Sequence, residues 1–200
     1  MSRARIAVLV SGGGTNLQAL LDAQQSGILH SGEIVLVVSN NESAYALERA
    51  AKAGVDTSIV TKKGCGSQAA FEEELARQLE HAHIDLIILA GFMSILTKSF
   101  TDRFPHQIIN VHPSLIPSFC GEGFYGLRVH QAALDYGVKV TGATVHYVNE
   151  IPDGGKILAQ KAVDILPEDT AETLQRRVME QAEWILLPQV AEELCAAMSK

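Results

Sequence analysis

Short apolar runs alternate with segments of helical spacing through the first half of the chain, and that alternation leaves few folds open. Arg5 to Val10 form an apolar run, Ser11-Gly12-Gly13-Gly14-Thr15-Asn16 breaks it, and Leu17, Leu20 and Leu21 follow at the spacing of one helix face. The order then repeats: a strand over Ile34 to Ser39, a helix from Ser43 to Ala53, a strand over Thr57 to Val60, a helix from Ser67 to His81 and a strand over Asp85 to Ala90. Strands alternating with helices imply right-handed crossovers and a mostly parallel sheet. Leu86-Ile87-Ile88-Leu89-Ala90 is apolar at every position, as a central strand covered on both faces must be. The second half differs. A helix over Leu127 to Tyr136 is closed by Gly137, Lys139 to Val148 alternates, and Asp153-Gly154-Gly155 turns into a further strand over Ile157 to Val163, which reads as a β-hairpin. Asp169-Thr170-Ala171-Glu172 has the form of a capping box, and Leu174, Val178, Ala182, Ile185 and Leu186 give the last helix an apolar stripe that Pro188 is expected to kink or split. The expected class is α/β: a Rossmann-like, mostly parallel sheet flanked by helices, with a C-terminal β-hairpin and a long C-terminal helix.

Composition narrows the partners. The chain has 200 residues, enough for one full hydrophobic core, and carries no long apolar run or basic-then-apolar start, so a cytoplasmic protein without signal peptide or membrane span is expected. A net charge of -7 offers no basic stripe for phosphates, which argues against nucleic acid and for small-molecule partners. Cys65, Cys120 and Cys195 are odd in number and without CxxC spacing, so neither a disulfide framework nor a zinc site is indicated. His30, His81, His83 and His106 have no metal spacing and read as surface residues.

Three stretches could carry chemistry. Asn110-Val111-His112-Pro113-Ser114-Leu115-Ile116-Pro117 follows the β-branched run Gln107-Ile108-Ile109, so Asn110 and His112 emerge at a strand's carboxyl end, where open α/β sheets keep their chemistry. One residue apart on extended backbone, the carboxamide and the imidazole point the same way. An amide donor beside an imidazole suits a carbonyl whose oxygen gains charge as a nucleophile adds. A loop whose His and Asn merely cap backbone groups fits the spacing equally well. The glycine turn from Ser11 to Asn16 opens a helix and suits a phosphate, although a tight turn without ligand remains open. A dinucleotide fingerprint would need a third glycine at Leu17 and an acidic end to the next strand, which here is Ser39-Asn40-Asn41, so NAD is disfavoured. Gly91-Phe92-Met93-Ser94-Ile95-Leu96 reads either as an apolar loop packed on the core or as a slot for a flat heterocycle. The Ser118 to Gly126 stretch, rich in glycine and aromatics, has the composition of a mobile lid.

Taken in order, the glycine turn with Thr15-Asn16, Ala90-Gly91-Phe92-Met93, Asn110 to Pro117, Thr141-Gly142-Ala143-Thr144-Val145-His146 and Asp153-Gly154-Gly155 resemble the phosphoribosylglycinamide formyltransferase family of folate-dependent formyltransferases. The resemblance covers nearly the whole chain and implies a single formyltransferase domain over 1–200. It implies Asn110, His112 and Asp153 as catalytic residues, and Gly14, Thr15, Asn16 and Glu183 as binders of phosphoribosylglycinamide. Folate would lie against Met93, Ser94, Ile95 and Leu96 and against Asn149, Glu150, Ile151 and Pro152, with Thr144, His146 and Gln68 near the site. The implied reaction is transfer of a formyl group from the co-substrate 10-formyltetrahydrofolate to the amine of phosphoribosylglycinamide in purine biosynthesis, without metal, by a monomer or a homodimer. A carboxylate at Asp153 beside His112 would raise the imidazole pKa. Three departures stand out: Gln68 and Ser94 where arginine is common, a longer Cys120 to Gly126 loop, and Trp184 where a histidine is frequent. The same three catalytic residues would also suit a folate deformylase, with water as nucleophile, or another formyltransferase; a binding module without turnover is the alternative of a different class.

Overall fold

The computed structural model describes residues 3–198. Its centre is a seven-stranded sheet in the order β3-β2-β1-β4-β5-β6-β7. The strands are β1 (Ala4–Val10), β2 (Gly32–Ser39), β3 (Asp56–Ile59), β4 (Leu86–Leu89), β5 (Ile108–His112), β6 (Val140–Tyr147) and β7 (Ile157–Asp164). β1 to β5 pair in parallel, whereas β6 runs antiparallel to both β5 and β7, so the expected hairpin closes one side of a Rossmann-like sheet. β4 is buried along its whole length, as its uninterrupted apolar sequence requires.

The helices are α1 (Thr15–Ser26), α2 (Tyr45–Lys52), α3 (Lys62–Cys65), α4 (Gln68–His81), α5 (Lys98–Arg103), α6 (Leu127–Tyr136), α7 (Ala171–Val178) and α8 (Trp184–Met198). α3 and α5 were not expected, being too short to show a periodic stripe in sequence. Two apolar layers cover the sheet. On one face Leu17 and Leu20 of α1, Leu174 and Val178 of α7 and Leu187 and Val190 of α8 pack on Ile6, Val8, Ile109, Val111 and Val145. On the other, Phe71 and Leu75 of α4, Phe100 of α5 and Phe104 just after it pack on Ala7, Leu9, Ile87, Leu89 and Ile108. This second layer reaches no further along β5 than Ile108, and Asn110 and His112 continue the same strand face beyond it.

Two expectations at the chain's end need correction. The capping box closes on Thr170 and Thr173, each side chain bonding the other's backbone N–H, while Asp169 instead pairs with Arg177 and accepts from Leu166 N. Pro188 lies inside α8, and the helix is interrupted earlier, by a π-helical turn at Met179–Glu183. A proline lacks the N–H that would bond the carbonyl four residues back, here that of Trp184, the first residue of α8.

Candidate active site

The sheet reverses its winding between β1 and β4, and the loops leaving those strands meet there, Met93 N donating to Ser11 Oγ at 2.8 Å, while Asn40, just after β2, donates its Nδ2 to Ser94 Oγ at 2.7 Å. Gly14 caps α1 with a left-handed φ of 72°, and no side chain caps the helix, leaving its first-turn amides to an outside ligand. Asn16 Nδ2 donates to Glu183 Oε2 at 2.7 Å, which brings the glycine turn and the π-helical turn together. Glu183 is buried, and burial pushes its carboxyl up to about 7 against the pull of Asn16. Gly14 itself is needed for packing rather than for an open approach: a Cβ there would lie 2.6 Å from Ala46 Cβ, whereas Gly12 and Gly13 face open space.

Asn110 and His112 stand on one face of β5, directly opposite His146 and Thr144 of β6, so all four share one face of the sheet. They lie in the carboxyl-terminal part of the strand, where their sequence position placed them, with His112 its last residue. The connection from β6 to β7 folds back over this face and delivers Asp153, held at φ 56°, a left-handed conformation that aspartate tolerates better than most residues. Asp153 Oδ2 lies 3.4 Å from His112 Nδ1, and its Oδ1 lies 3.6 Å from His146 Nε2. Just after it, Gly155 crosses the Tyr147 carbonyl so closely that a Cβ would sit 1.6 Å from the oxygen. His112 Nε2 bonds the Phe119 carbonyl at 2.9 Å, and Gly121 N donates to Asp153 Oδ2 at 2.8 Å, so the segment after Pro117 is tied to both groups.

Burial pushes the His112 imidazole below its ordinary value, outweighing the upward pull of Asp153 and the Phe119 carbonyl; the expected rise does not occur. Asp153 is also held below the ordinary carboxylate range. Burial works to raise it, and the imidazoles of His146 and His112 together with the Gly121 N–H outweigh that effect.

An imidazole and a carboxamide stand side by side on β5, a carboxylate lies 3.4 Å from the imidazole, and a glycine turn opens α1 after β1. The formyl transferase profile matches residues 4–190. The chain belongs to the formyl transferase family. Within it, this formyltransferase falls among the phosphoribosylglycinamide formyltransferases. It is 42% identical to the phosphoribosylglycinamide formyltransferase of Haemophilus influenzae over 177 residues, 88% of this chain and 81% of that protein. It is 45% identical over 183 residues to the trifunctional purine biosynthetic protein adenosine-3 of Drosophila pseudoobscura pseudoobscura, but spans only 13% of that much longer protein. Glycinamide ribonucleotide transformylase 1 from Symbiobacterium toebii superposes with a TM-score of 0.91 at 40% identity, covering 98% of this chain and 89% of that one. For phosphoribosylglycinamide formyltransferase from Brucella melitensis the TM-score is 0.88 at 41% identity, with 98% and 97% covered.

The structure places the remaining expected residues of the formyltransferase as follows. Met93, Ile95 and Ile151 are exposed, while Leu96 is buried in the core, so the Gly91 to Leu96 loop presents apolar side chains instead of packing them all away. Gln68 Nε2 donates to Glu72 Oε1 at 2.8 Å and to the Ile95 carbonyl at 3.2 Å, placing Gln68 against that loop. Thr144 Oγ1 donates to the Ser114 carbonyl and accepts from Ile116 N and Gln160 Nε2, which fixes the backbone just after His112. Thr15 Oγ1 reaches only Met179 Sδ, and Asn149 Oδ1 accepts from Ile151 N within its own turn. Glu150 is exposed, and Pro152 lies just ahead of Asp153. His30, His81, His83 and His106 are exposed, as expected. One histidine was missed. His130 of α6 is fully buried with neither ring nitrogen bonded, and burial, reinforced by His112, pushes it down to about 4. Its only signal was its place among the apolar positions Val129 and Ala133 of one helix face.

Proposed function

We propose that the chain transfers the formyl group of 10-formyltetrahydrofolate to the amine of phosphoribosylglycinamide, with Asn110, His112 and Asp153 at the reacting centre and no metal. The observation that carries this reading is the carboxamide and imidazole on one strand face with a carboxylate in contact with the imidazole. The amine nitrogen attacks the formyl carbon, and the carbonyl oxygen becomes an oxyanion that an Asn110 N–H can stabilise. Because burial keeps His112 below its ordinary pKa, its imidazole suits a proton acceptor for the attacking amine, and Asp153 stabilises the imidazolium as it forms. The same proton then passes to the tetrahydrofolate nitrogen as its bond to the formyl carbon breaks. The uncapped start of α1, with Gly14, Thr15 and Asn16, would hold the substrate phosphate, and Glu183 the glycinamide side. Met93, Ser94, Ile95 and Leu96, with Asn149, Glu150, Ile151 and Pro152, would flank the folate. Fission of 10-formyltetrahydrofolate followed by absorbance, with and without phosphoribosylglycinamide, tests the reading. Turnover that depends on the amine is expected. Formate release at one rate with or without the amine would make water the nucleophile and the protein a deformylase, and no turnover at all would leave a binding module.

A further inference from the structure

We infer that His146 is a positioning residue for formyl transfer, a hydrogen-bond acceptor that fixes which way round the Asn110 carboxamide sits. The inference rests on the formyl-transfer reading and adds to it the residue that makes Asn110 a donor. A carboxamide is nearly symmetric in shape and opposite in chemistry at its two ends: the NH2 donates, the oxygen accepts. Only the NH2 end stabilises an oxyanion, and the shape of Asn110 alone cannot choose between them. His146 makes the choice. Its Nδ1 lies 2.8 Å from the Tyr147 carbonyl oxygen, a group that only accepts, so Nδ1 carries the proton. In the neutral ring the other nitrogen then holds a lone pair. That nitrogen, Nε2, lies 3.2 Å from Asn110 Nδ2, so the amide must turn its N–H toward it. The Asp153 carboxylate lies 3.6 Å from the same nitrogen, so Asn110 Nδ2 at 3.2 Å is its nearer partner and the one within hydrogen-bond distance. One N–H of Asn110 is thereby engaged, and the second, on the same planar nitrogen, remains for the formyl oxygen. Asn110 and His146 face each other directly in the β5–β6 register, and His146 is 2% exposed, so no water substitutes for the lost acceptor if the amide turns over.

Long-range proton–nitrogen NMR of the unaltered protein labelled with 15N-histidine reads the first step directly. A His146 ring protonated at Nδ1 and bare at Nε2 is expected, and a ring carrying a proton on Nε2, alone or together with Nδ1, would overturn the inference whatever the kinetics show. Steady-state rates of two variants read the second. His146→Gln can place an amide oxygen where Nε2 stood, whereas His146→Met keeps bulk without an acceptor. Loss of an oxyanion donor costs ~100 to 1,000-fold, so a misdirected one should lower kcat by ~10 to 100-fold in His146→Met, with KM for both substrates within about threefold. His146→Gln should recover most of that loss. In an Asn110→Ala background, His146→Met should cost little more, since the two act as a unit. Equal losses in the Gln and Met variants, or an undiminished Met loss beside Asn110→Ala, would overturn it. Failure of the underlying reading looks different: the unaltered protein would then transfer no formyl group, or Asn110→Ala would keep nearly the full rate.

Discussion

His112 lies between two acceptors, the Phe119 carbonyl and the Asp153 carboxylate, yet burial still holds its imidazole below the ordinary value. The sequence showed the neighbour but not the burial: Asp153 could be read as a partner from its motif, whereas the depth of the strand face that His112 occupies is a property of the whole sheet. On the proposed mechanism, Asp153 would act mainly as the charge that lets a neutral imidazole accept a proton. Asp153→Asn removes that charge while keeping a side chain that tolerates the left-handed backbone at this position. Turnover is expected to fall by ~100 to 10,000-fold with little change in ligand dissociation constants, measured by steady-state kinetics beside calorimetry. A rate near that of the unaltered protein would remove Asp153 from the mechanism and leave Asp153-Gly154-Gly155 as a turn.

At the scale of elements, the glycine turn and the segment after Pro117 behave differently from what their compositions suggested. Gly14 is pressed against α2, so Gly14→Ala should destabilise the fold by about 1–3 kcal/mol in urea unfolding, from overpacking and a left-handed φ together. Ala46→Gly in the same chain should recover the overpacking share, and no recovery would place the whole cost in the backbone. The Ser118 to Gly126 segment is tethered: Phe119 O and Gly121 N hold His112 and Asp153, and the Phe119 ring packs against Phe124 and Tyr136. As a lid it must release His112 for chemistry. The Gly121 amide should be protected in hydrogen exchange of the ligand-free protein, lose protection in Asp153→Ala, and change again when a folate analogue binds. Strands and long helices were legible because apolar periodicity repeats over several residues. α3, α5 and the π-helical turn were not, because one or two turns carry no period, and the place of Glu183 in the site depends on that turn.

Across the whole molecule, two buried groups titrate against each other. His130 falls from 6.5 to about 4, so an unfolded chain binds this proton more readily than the folded one between those values. Its contribution to stability is complete above pH 6.5 and is lost as pH falls toward 4, of the order of 3 kcal/mol. Glu183 rises from 4.5 to about 7, so its contribution has the opposite sign, complete below pH 4.5 and lost as pH rises toward 7, of similar size. Glu183→Gln should therefore steepen the loss of stability on acidification, and His130→Leu should make the protein relatively more stable near pH 5 than near pH 7, by thermal unfolding across that range. Parallel slopes in all three proteins would mean that neither group titrates as described. The fold class could be read ahead because the β–α alternation leaves few sheet topologies open. The site could be read only in part, since its four facing side chains, Asn110, His112, Thr144 and His146, meet through a β5–β6 register that no local pattern encodes. The close crossing of Gly155 over the Tyr147 carbonyl gives the molecule an asymmetric capacity to evolve. On the proposed function, residues 148–152 can vary and reshape the side of the site that would meet the donor. Asp153 is anchored by a neighbour at which no side chain fits, so substrate range can diversify while the carboxylate keeps its place.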